Sequence, residues 1–241
     1  MSNSLILARG VLKELVRRKD LYLILALLVI MLLYAASLSF GGESNFQRYF
    51  KEIGISLTYI FSVIIAVTFA SRQIPQEVES KSVYHILARP VSRFEFIAGK
   101  SLGVLLVSVV SFSAFYAVYV LALFLRKDFS TPPMLLVEGF VLHACLLSFF
   151  VSLTLLLSLF LSAASDAVIA LVMYFGTNWF GATFPAYIYL PHPELFDIRE
   201  KIIHSWDVVP YGIISFLILY AAAYTALFLL IAYAVFRKRD L

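Results

Sequence analysis

Six long stretches without a charged residue constrain the fold of this chain more than any other feature of its sequence. Each stretch reaches the ~18–20 residues that a helix needs to cross a hydrocarbon core about 30 Å thick. Because a backbone in lipid has to satisfy its own hydrogen bonds, each stretch is predicted to be a helix. The stretches are Leu21–Gly42, Ile53–Ser71, Ser101–Leu125, Gly139–Ser165, Ala167–Pro193 and Val208–Phe236. We therefore expect an all-α integral membrane protein with six transmembrane helices, built as a single domain over residues 1–241.

The composition excludes an ordinary soluble enzyme. Hydrophobic residues make up 62% of the 241 residues and charged residues only 14%, whereas a soluble domain is about a quarter charged. The longest parts outside the apolar stretches are the N-terminal 20 residues and a loop over residues 72–100. Neither reaches the roughly 50 residues of a self-contained fold. An energy source or soluble chemistry must therefore come from a partner chain or from within the bilayer.

The distribution of basic residues predicts the orientation in the membrane. Thirteen of the nineteen Lys and Arg residues lie in the first 20 residues, in the 72–100 loop or in the C-terminal tail. Cytoplasmic segments carry the excess of Lys and Arg, so both termini and this loop are predicted to be cytoplasmic. We expect a multi-pass protein of the cell (inner or cytoplasmic) membrane. The net charge of +4 is then charge at the inner leaflet rather than a nucleic-acid site.

The N-terminal segment, residues 1–20, is predicted to contain an interfacial amphipathic helix. At helical spacing its apolar side chains share one face, and the basic residues Arg9, Lys13 and Arg17 line another. The apolar face comprises Leu5, Ala8, Leu12, Leu15 and Val16. Such a helix lies among the headgroups with its basic face toward anionic membrane lipid. The alternative is a plain anchor that continues into the first span.

The 72–100 loop carries clear start and stop signals for a short helix. Pro75 suits a first helical position, and acidic residues follow in the first turn, where the helix dipole favours negative charge. Pro90 then ends the helix, because the residue before a proline avoids helical geometry. These signals predict a cytoplasmic helix over residues 75–89, followed by a second turn or helix over Ser92–Gly99. A solvated connector is the alternative.

No nucleotide site or metal site is predicted within this chain. Gly99, Lys100 and Ser101 match the last three positions of a phosphate-binding P-loop, but Phe94 occupies the position of its first glycine. Lys100 is instead predicted to reach the inner headgroups with its ammonium group. The four histidines lack the spacing of metal ligands, and Cys145 is predicted to be a packed apolar residue.

Polar residues of the predicted spans are the remaining candidates for a site, because ionisable groups are costly to bury in lipid. Glu138 and His143 lie in or near the fourth span, and Asn178 lies in the fifth, which Gly and Pro interrupt. We predict that these three residues form a pathway or an outer site. Asp166 is predicted to lie on a tight inner turn between the two spans. The outer loop at residues 190–207 is predicted to form short interfacial or re-entrant helices, where an extracytoplasmic partner could dock.

Three segments resemble the membrane subunits of ABC-2 type transporters, the permease half of an ATP-binding-cassette system. They are the opening ARGVLKELVRRKD, the loop EVESKSVYHILARPVSRFEFIAGK and the ending IAYAVFRKR. One departure is Ser82-Val83, where members often have Gly-Thr. The likeness covers almost the whole chain, and it is similar to the permease group that serves nitrous-oxide-reductase maturation.

The resemblance implies a permease without ATPase activity of its own. Because export is the more common behaviour of the family, it also implies an exporter. A second copy of this chain or a related permease would pair with it in the membrane. Two ABC ATPase subunits, with their ATP and Mg, would dock beneath the pair. Residues 75–89 would be the coupling helix, and its polar contacts with the ATPase would be Glu77, Glu79, Lys81, His85 and Arg89. No cofactor of the chain itself and no nucleic acid are implied.

Two other functions stay open at the level of sequence. One is a membrane-embedded enzyme, for instance a peptidase or a lipid transferase, that uses Glu138 or His143. It would need a paired acid and base, and no such pair occurs at helical spacing within one span. The other is a carrier or a scaffold that needs no ATPase. Few charges lie deep in the predicted spans, which gives ion-coupled transport little support.

Overall fold

The computed structural model describes residues 8–13, 19, 22–24, 26–27, 29–31, 43–79, 92–180 and 191–238. From residue 43 onward, this part of the chain forms six helices and one short 3-10 turn. They are α1 (Glu43–Glu79), α2 (Arg93–Leu125), α3 (Pro133–Leu157), α4 (Ala163–Phe180), the turn Pro193–Phe196, α5 (Arg199–His204) and α6 (Tyr211–Arg237). None of the described residues lies in a β-strand. The predicted all-α fold class is confirmed.

Four of these helices, α1, α2, α3 and α6, are long and apolar enough to cross a membrane. They coincide with the second, third, fourth and sixth predicted spans, although α1, α2 and α3 begin several residues before the charge-free stretches. The fifth predicted span corresponds to α4, which has 18 residues. The first, Leu21–Gly42, falls largely outside the described residues. The chain is therefore a membrane protein with several apolar helices, and the total of six spans stays a prediction.

Pro75 does not begin a helix, so the predicted start of the helix over residues 75–89 is wrong. Helix α1 runs through Pro75 to Glu79 and is 37 residues long. A proline usually breaks a helix, because it removes one hydrogen bond and its ring crowds the preceding turn. Here the neighbouring Ile74 is only 1% exposed, and packing of this turn against the bundle outweighs the local preference. The rest of the predicted helix, residues 80–89, lies outside the described residues.

The turn between α3 and α4 lies earlier in the chain than predicted. Helix α3 ends at Leu157, and residues 158–162 form the turn. The Ser162 hydroxyl then accepts the backbone N–H of Ser165 at 3.3 Å, which is the geometry of a helix N-cap. Asp166 therefore lies in the first turn of α4 instead of on the connection, and its side chain is fully buried.

Helix α3 lies at the centre of the bundle and packs against α1, α2, α4 and α6. Aromatic side chains fill these contacts: Phe140 of α3 stacks on Phe112 of α2 with ring centroids 5.1 Å apart. On the other side, Phe149 of α3 meets Phe228 of α6 at 5.3 Å. Such pairs add to the stabilisation that burial alone provides. Large apolar side chains also cover the outward faces, as at Phe216, which is 60% exposed and suits contact with lipid.

The N-terminal helical segment, residues 8–13, packs on α2. Its Val11 is buried, whereas Arg9 and Lys13 are exposed, which agrees with the predicted amphipathic pattern. A Cβ atom at Gly103 of α2 would lie 2.6 Å from the Cβ of Val11. Only a glycine at this position permits so close an approach. Part of the apolar face therefore contacts the bundle rather than lipid.

Candidate functional site at the two ends of the bundle

Buried polar groups concentrate at the two ends of the helix bundle. At one end, which we call the Lys100 end, α1 and α6 finish and α2 begins. At the other, which we call the Lys51 end, α1 begins, α2 finishes and α3 begins. Between the two ends, His143 is enclosed completely by the core. The charged groups at each end determine which helices are joined there.

At the Lys100 end, a buried ion pair joins α1 to α2. The Lys100 ammonium contacts the Glu77 carboxylate and donates to Oε1 of Gln73 at 3.3 Å. Lys100 is only 5% exposed, so the prediction that it extends to the headgroups is wrong. Gln73 and Glu77 are four residues apart and share one face of α1. Together they supply the oxygen atoms that a buried ammonium group requires.

Arg93, the first residue of α2, holds the end of α6. Its guanidinium donates to the carbonyl oxygens of Phe236 at 3.0 Å and Arg237 at 2.7 Å. Carbonyls in the last turn of a helix lack the regular partners of the helix interior, and a cation stabilises this end of the helix dipole. Phe96 stacks on Phe236 at 5.5 Å between centroids. The start of α2 is thus fixed to α6 as well as to α1.

A capping box fixes the point at which α2 begins. The Ser92 hydroxyl accepts the backbone N–H of Glu95 at 3.1 Å, and the Glu95 carboxylate accepts the backbone N–H of Ser92 at 2.8 Å. This reciprocal pair satisfies two backbone donors that the first turn leaves open. The predicted helical segment over Ser92–Gly99 is confirmed, and it is continuous with the third span.

At the Lys51 end, a second buried ion pair connects segments that are distant in sequence. The Lys51 ammonium lies 3.3 Å from Oδ2 of Asp128 and donates to the hydroxyls of Ser130 at 2.6 Å and Ser205 at 3.2 Å. Burial alone would raise the pKa of Asp128. Hydrogen bonds from Ser130 and the charge of Lys51 outweigh it and lower the pKa. The carboxylate is therefore charged, and the network joins α1, the α2–α3 turn and the end of α5.

The 190–207 loop forms the short helices that its sequence predicts. The 3-10 turn and α5 bury Phe196, Ile202 and Ile203 against the bundle. Arg199 binds Asp197 through Nε, at 2.9 Å from Oδ1 and 2.8 Å from Oδ2. Burial opposes the charge of Arg199, but the bonds to Asp197 prevail and raise its pKa. The loop is thus a packed lid over the ends of α1, α3 and α4 rather than a solvated connection.

His143 lies in a polar contact with α1. Its Nε2 is 2.7 Å from the Ser62 hydroxyl, and that hydroxyl donates to the Tyr59 carbonyl at 2.7 Å. The Tyr59 ring stacks on the imidazole at 3.8 Å between centroids. The hydrogen bond to Ser62 and the stacked Tyr59 ring together join α3 to α1.

Glu138 has a separate partner. Its Oε2 accepts the backbone N–H of Val209 at 2.9 Å, and the side chain is 2% exposed. Glu138 thus fixes the segment that enters α6, whereas His143 bonds to α1. The two residues do not share a hydrogen bond, and the paired acid and base that a membrane-embedded enzyme would need are not formed between them.

A family model described as ABC-2 family transporter protein matches residues 6–241. The chain belongs to the ABC-2 transporter family. No curated protein gives a significant match to it. Membership makes the chain a membrane component of a transporter, a permease, and implies an ABC ATPase partner and assembly into an oligomer. The narrower resemblance to the nitrous-oxide-reductase maturation group stays a prediction.

Two of the predicted ATPase contacts of this ABC-2 protein lie in the last turn of α1. The Glu77 carboxylate is bonded to Lys100 within the chain. Glu79 is exposed, so a soluble partner could contact it. The other three, Lys81, His85 and Arg89, lie outside the described residues. The segment that carries them leaves α1 at Glu79 and returns at Ser92, and both of these ends are fixed.

Among the other predicted site residues of this ABC-2 protein, Glu138 and His143 are not brought together. Glu138 and His143 have the separate partners given above, and Asn178 lies in α4 with its side chain outside the described part. Arg9 and Lys13 are exposed on the N-terminal segment, and Arg17 lies outside it.

The sequence did not predict the two ion pairs or the hydrogen bonds from Arg93 to the end of α6. One signal was present for the first pair, because a Gln and a Glu four residues apart near the end of an apolar helix form a polar face. The partners Lys51 and Asp128 are separated by a whole helical hairpin. Nothing in the local sequence indicates that they meet.

Proposed function

We propose that this chain is the permease subunit of an ATP-driven exporter in the cell (inner) membrane, with both termini in the cytoplasm. Two copies of the chain, or one copy and a related permease, pair in the membrane. Each binds a separate ATPase subunit that holds ATP and Mg. The observation that carries the proposal is the construction of the Lys100 end, where both ends of the segment over residues 80–91 are fixed to different helices.

Because both of its ends are fixed to helices, a displacement of this segment is transmitted into the membrane-spanning bundle. On one side, Glu77 and Lys100 join the end of α1 to α2. On the other, Arg93 joins the start of α2 to the end of α6. A displacement of residues 80–91 by an ATPase is therefore passed to three helices at once. The coupling segment of this proposal begins after α1, at residue 80, and not at Pro75.

The network at the Lys51 end extends the route across the bilayer. Helix α1 carries Glu77 at one end and Lys51 at the other, and Lys51 bonds to the α2–α3 turn and to Ser205 after α5. A tilt of α1 at the Lys100 end must therefore move the lid formed by the 190–207 loop or break these bonds. ATP drives such a change only if it binds one arrangement better than the other.

The test begins with the tagged full chain, purified in mild detergent from its native host with the proteins that accompany it. We expect a soluble ATPase in a roughly 1:1 ratio, and we expect the chain alone to hydrolyse no ATP. Arg89→Glu should remove the ATPase from the purified complex. Lys238→Met, an exposed basic residue at the same end, is the matched control and should retain it.

Coupling is tested separately from docking. A reporter cysteine, Phe129→Cys in a Cys145→Ser background, lies at the Lys51 end, where Phe129 is 69% exposed. In the complex, ATP with vanadate should change the rate at which a membrane-impermeant maleimide labels this cysteine. Lys100→Met should retain the ATPase and abolish the change. A chain that purifies without an ATPase and transports alone would support a carrier, and hydrolytic activity lost in His143→Ala would support an enzyme.

A further inference from the structure

A cavity of about 400 Å³ lies between α2 and α3 at the Lys51 end. Its walls are mainly apolar and include Val120 and Phe124 of α2, Phe129 of the turn, and Val137 and Phe140 of α3. This volume lies within the range of about 300–1,000 Å³ that is typical of sites for small molecules. The mechanism proposed above does not use it.

The polar atoms in the walls of the cavity are already bonded within the chain. The Tyr116 hydroxyl donates to the Leu136 carbonyl at 2.8 Å. The Thr131 hydroxyl lies 3.4 Å from the Ile202 carbonyl, and Asp128 is paired with Lys51. Because these groups are occupied, the cavity offers a ligand mostly apolar surface. It suits a hydrocarbon chain better than a polar solute.

The turn beside the cavity carries two basic residues, Arg126 and Lys127, between the wall residues Phe124 and Asp128. The side chain of Lys127 is exposed. The Arg126 guanidinium lies 4.8 Å from the centroid of the Phe50 ring. Arg126 is thus directed to α1, and the exposed charge beside the apolar cavity is that of Lys127, which is complementary to an amphiphile with an anionic head. The negative charge of Asp128 does not oppose it, because Lys51 neutralises that carboxylate.

Lys127 also has a backbone conformation that favours glycine. Its φ is 56°, and it occupies the position after the helix C-cap in a Schellman motif. The backbone N–H of Lys127 bonds to the Phe124 carbonyl at 2.9 Å, and that of Asp128 to the Leu123 carbonyl at 3.1 Å. Glycine is the usual residue here, because a Cβ in this conformation is strained. A lysine in this position points to a use for its charge.

We propose that the cavity binds an acyl chain of an anionic phospholipid, with the lipid phosphate at Lys127. The end of α2 places Lys127 where the helix leaves the apolar region, which is the level of the headgroups. The chain of the lipid then extends between Val120 and Phe140 toward the interior of the bundle. This site goes beyond the transport proposal and does not depend on an ATPase.

The test uses the full chain and native mass spectrometry, with phosphatidylglycerol and phosphatidylcholine of the same acyl chains added in equal amounts. The wild type should retain phosphatidylglycerol in preference. Lys127→Gly should lower that preference by up to about fivefold, since one exposed ion pair contributes at most about this much. It should also raise the melting temperature, because glycine removes the strain. Lys127→Arg should keep the preference.

Two further variants locate the lipid. Val137→Trp, at a wall residue that is 54% exposed, should fill the cavity and lower the retention of both lipids. Arg48→Gln, which removes an exposed basic residue at the same end, should leave both unchanged. Equal preference in the wild type and Lys127→Gly would overturn the headgroup assignment, and unchanged retention in Val137→Trp would overturn the cavity assignment. A disulfide-linked dimer through Phe129→Cys, formed in the membrane in a Cys145→Ser background, would instead assign the cavity to a second copy of the chain.

Discussion

Lys51 and Asp128 form an ion pair in which both side chains are almost fully enclosed, 4% and 3% exposed. Ser130 and Ser205 bond to the Lys51 ammonium. Buried ions are stable only when their remaining hydrogen-bonding atoms are also satisfied. The pair therefore fixes the start of α1 to two connections that the sequence places about 80 and 150 residues away.

Removal of Lys51 tests this connection. Lys51→Met should lower the free energy of unfolding by about 3–5 kcal/mol, because it leaves the Asp128 carboxylate buried without its cation. The measurement is thermal unfolding in mild detergent, with loss of the monodisperse gel-filtration peak as the signal. Lys201→Met is the matched control. Lys201 is partly exposed and bonds only to the Asp207 carbonyl at 3.2 Å, so a change within about 0.5 kcal/mol is expected.

The same pair predicts a dependence of stability on pH. The pKa of Asp128 is lowered by the hydrogen bonds of Ser130 and by Lys51, against the effect of burial. A carboxyl with a depressed pKa in the folded state stabilises the fold above its unfolded pKa of about 3.9. That stabilisation is lost as the pH falls through the folded pKa. The wild type and Asp128→Asn should therefore differ in melting temperature by a constant amount from pH 7 down to about pH 4, and should converge only as the pH falls further, through the folded pKa of Asp128. A difference that is already lost well above pH 4 would contradict the assignment.

The sequence was sufficient to predict the helices but not how they end or meet. Charge-free stretches mark the apolar part of each span, because only that part must avoid charge. Helices α1 and α2 continue beyond it, and their polar turns pair with each other through Glu77 and Lys100. The predictions that a helix begins at Pro75 and that Lys100 reaches the headgroups each rest on the local sequence of one segment. Such predictions fail where the polar side chains of two segments form hydrogen bonds and ion pairs with each other.

Close contacts at glycine could not be predicted for the same reason. Gly103 and Gly139 look like ordinary small residues of apolar helices, and nothing nearby in the sequence names their neighbours. The structure places Val11 against Gly103 and Ile202 against Gly139. Both neighbours come from segments that lie outside the long spans. Residues 8–13 of the predicted amphipathic helix and the predicted short outer helices thus pack on the bundle at these two glycines.

Gly103→Ala should displace the N-terminal segment. The new Cβ would lie 2.6 Å from the Cβ of Val11 and 3.1 Å from the Ala8 carbonyl oxygen, a backbone contact that cannot rotate away. Overpacking of this kind costs about 1–3 kcal/mol. Trypsin should then cleave after Arg9 about ten times faster than in the wild type. Gly10→Ala, where nothing lies within 4 Å of a new Cβ, is the control.

A suppressor makes this prediction more specific. Val11→Gly removes the Cβ that would collide, so the double variant with Gly103→Ala should regain more protection than Gly103→Ala alone. If Gly103→Ala is cleaved no faster than Gly10→Ala, residues 8–13 do not pack on α2 in the way described.

Gly139→Ala should weaken the seat of α5. A Cβ at this position would lie 2.6 Å from Cδ1 of Ile202 and 3.1 Å from the Tyr59 hydroxyl oxygen. The isoleucine methyl can move, so we expect a loss of about 1 kcal/mol, measured as the melting temperature in detergent. Ile202→Val removes the methyl group and should restore part of the loss in the double variant. Gly212→Ala is the control, because nothing lies within 4 Å of a new Cβ at that position, and Ile202→Val should not restore any loss that it causes.

Ser62→Ala should destabilise the contact between α1 and α3. It leaves Nε2 of His143 without its hydrogen-bond partner inside the core, which costs about 1–3 kcal/mol. Ser108→Ala is a matched control, because Ser108 is equally buried but its hydroxyl bonds only to Val104 in its own helix. A larger effect at Ser108 than at Ser62 would show that the bond to His143 contributes little.

The pair of Glu77 and Lys100 can be separated from any contact with an ATPase by a double-mutant cycle on the purified chain. Lys100→Met, Glu77→Gln and the double variant are compared by thermal unfolding without a partner protein. Because the two side chains are only 16% and 6% exposed, we expect a coupling free energy of about 1–3 kcal/mol. The double variant should then be less destabilised than the two single losses added together. Additive losses would mean that the pair does not join α1 to α2, and the proposed route from residues 80–91 into the bundle would lose its first step.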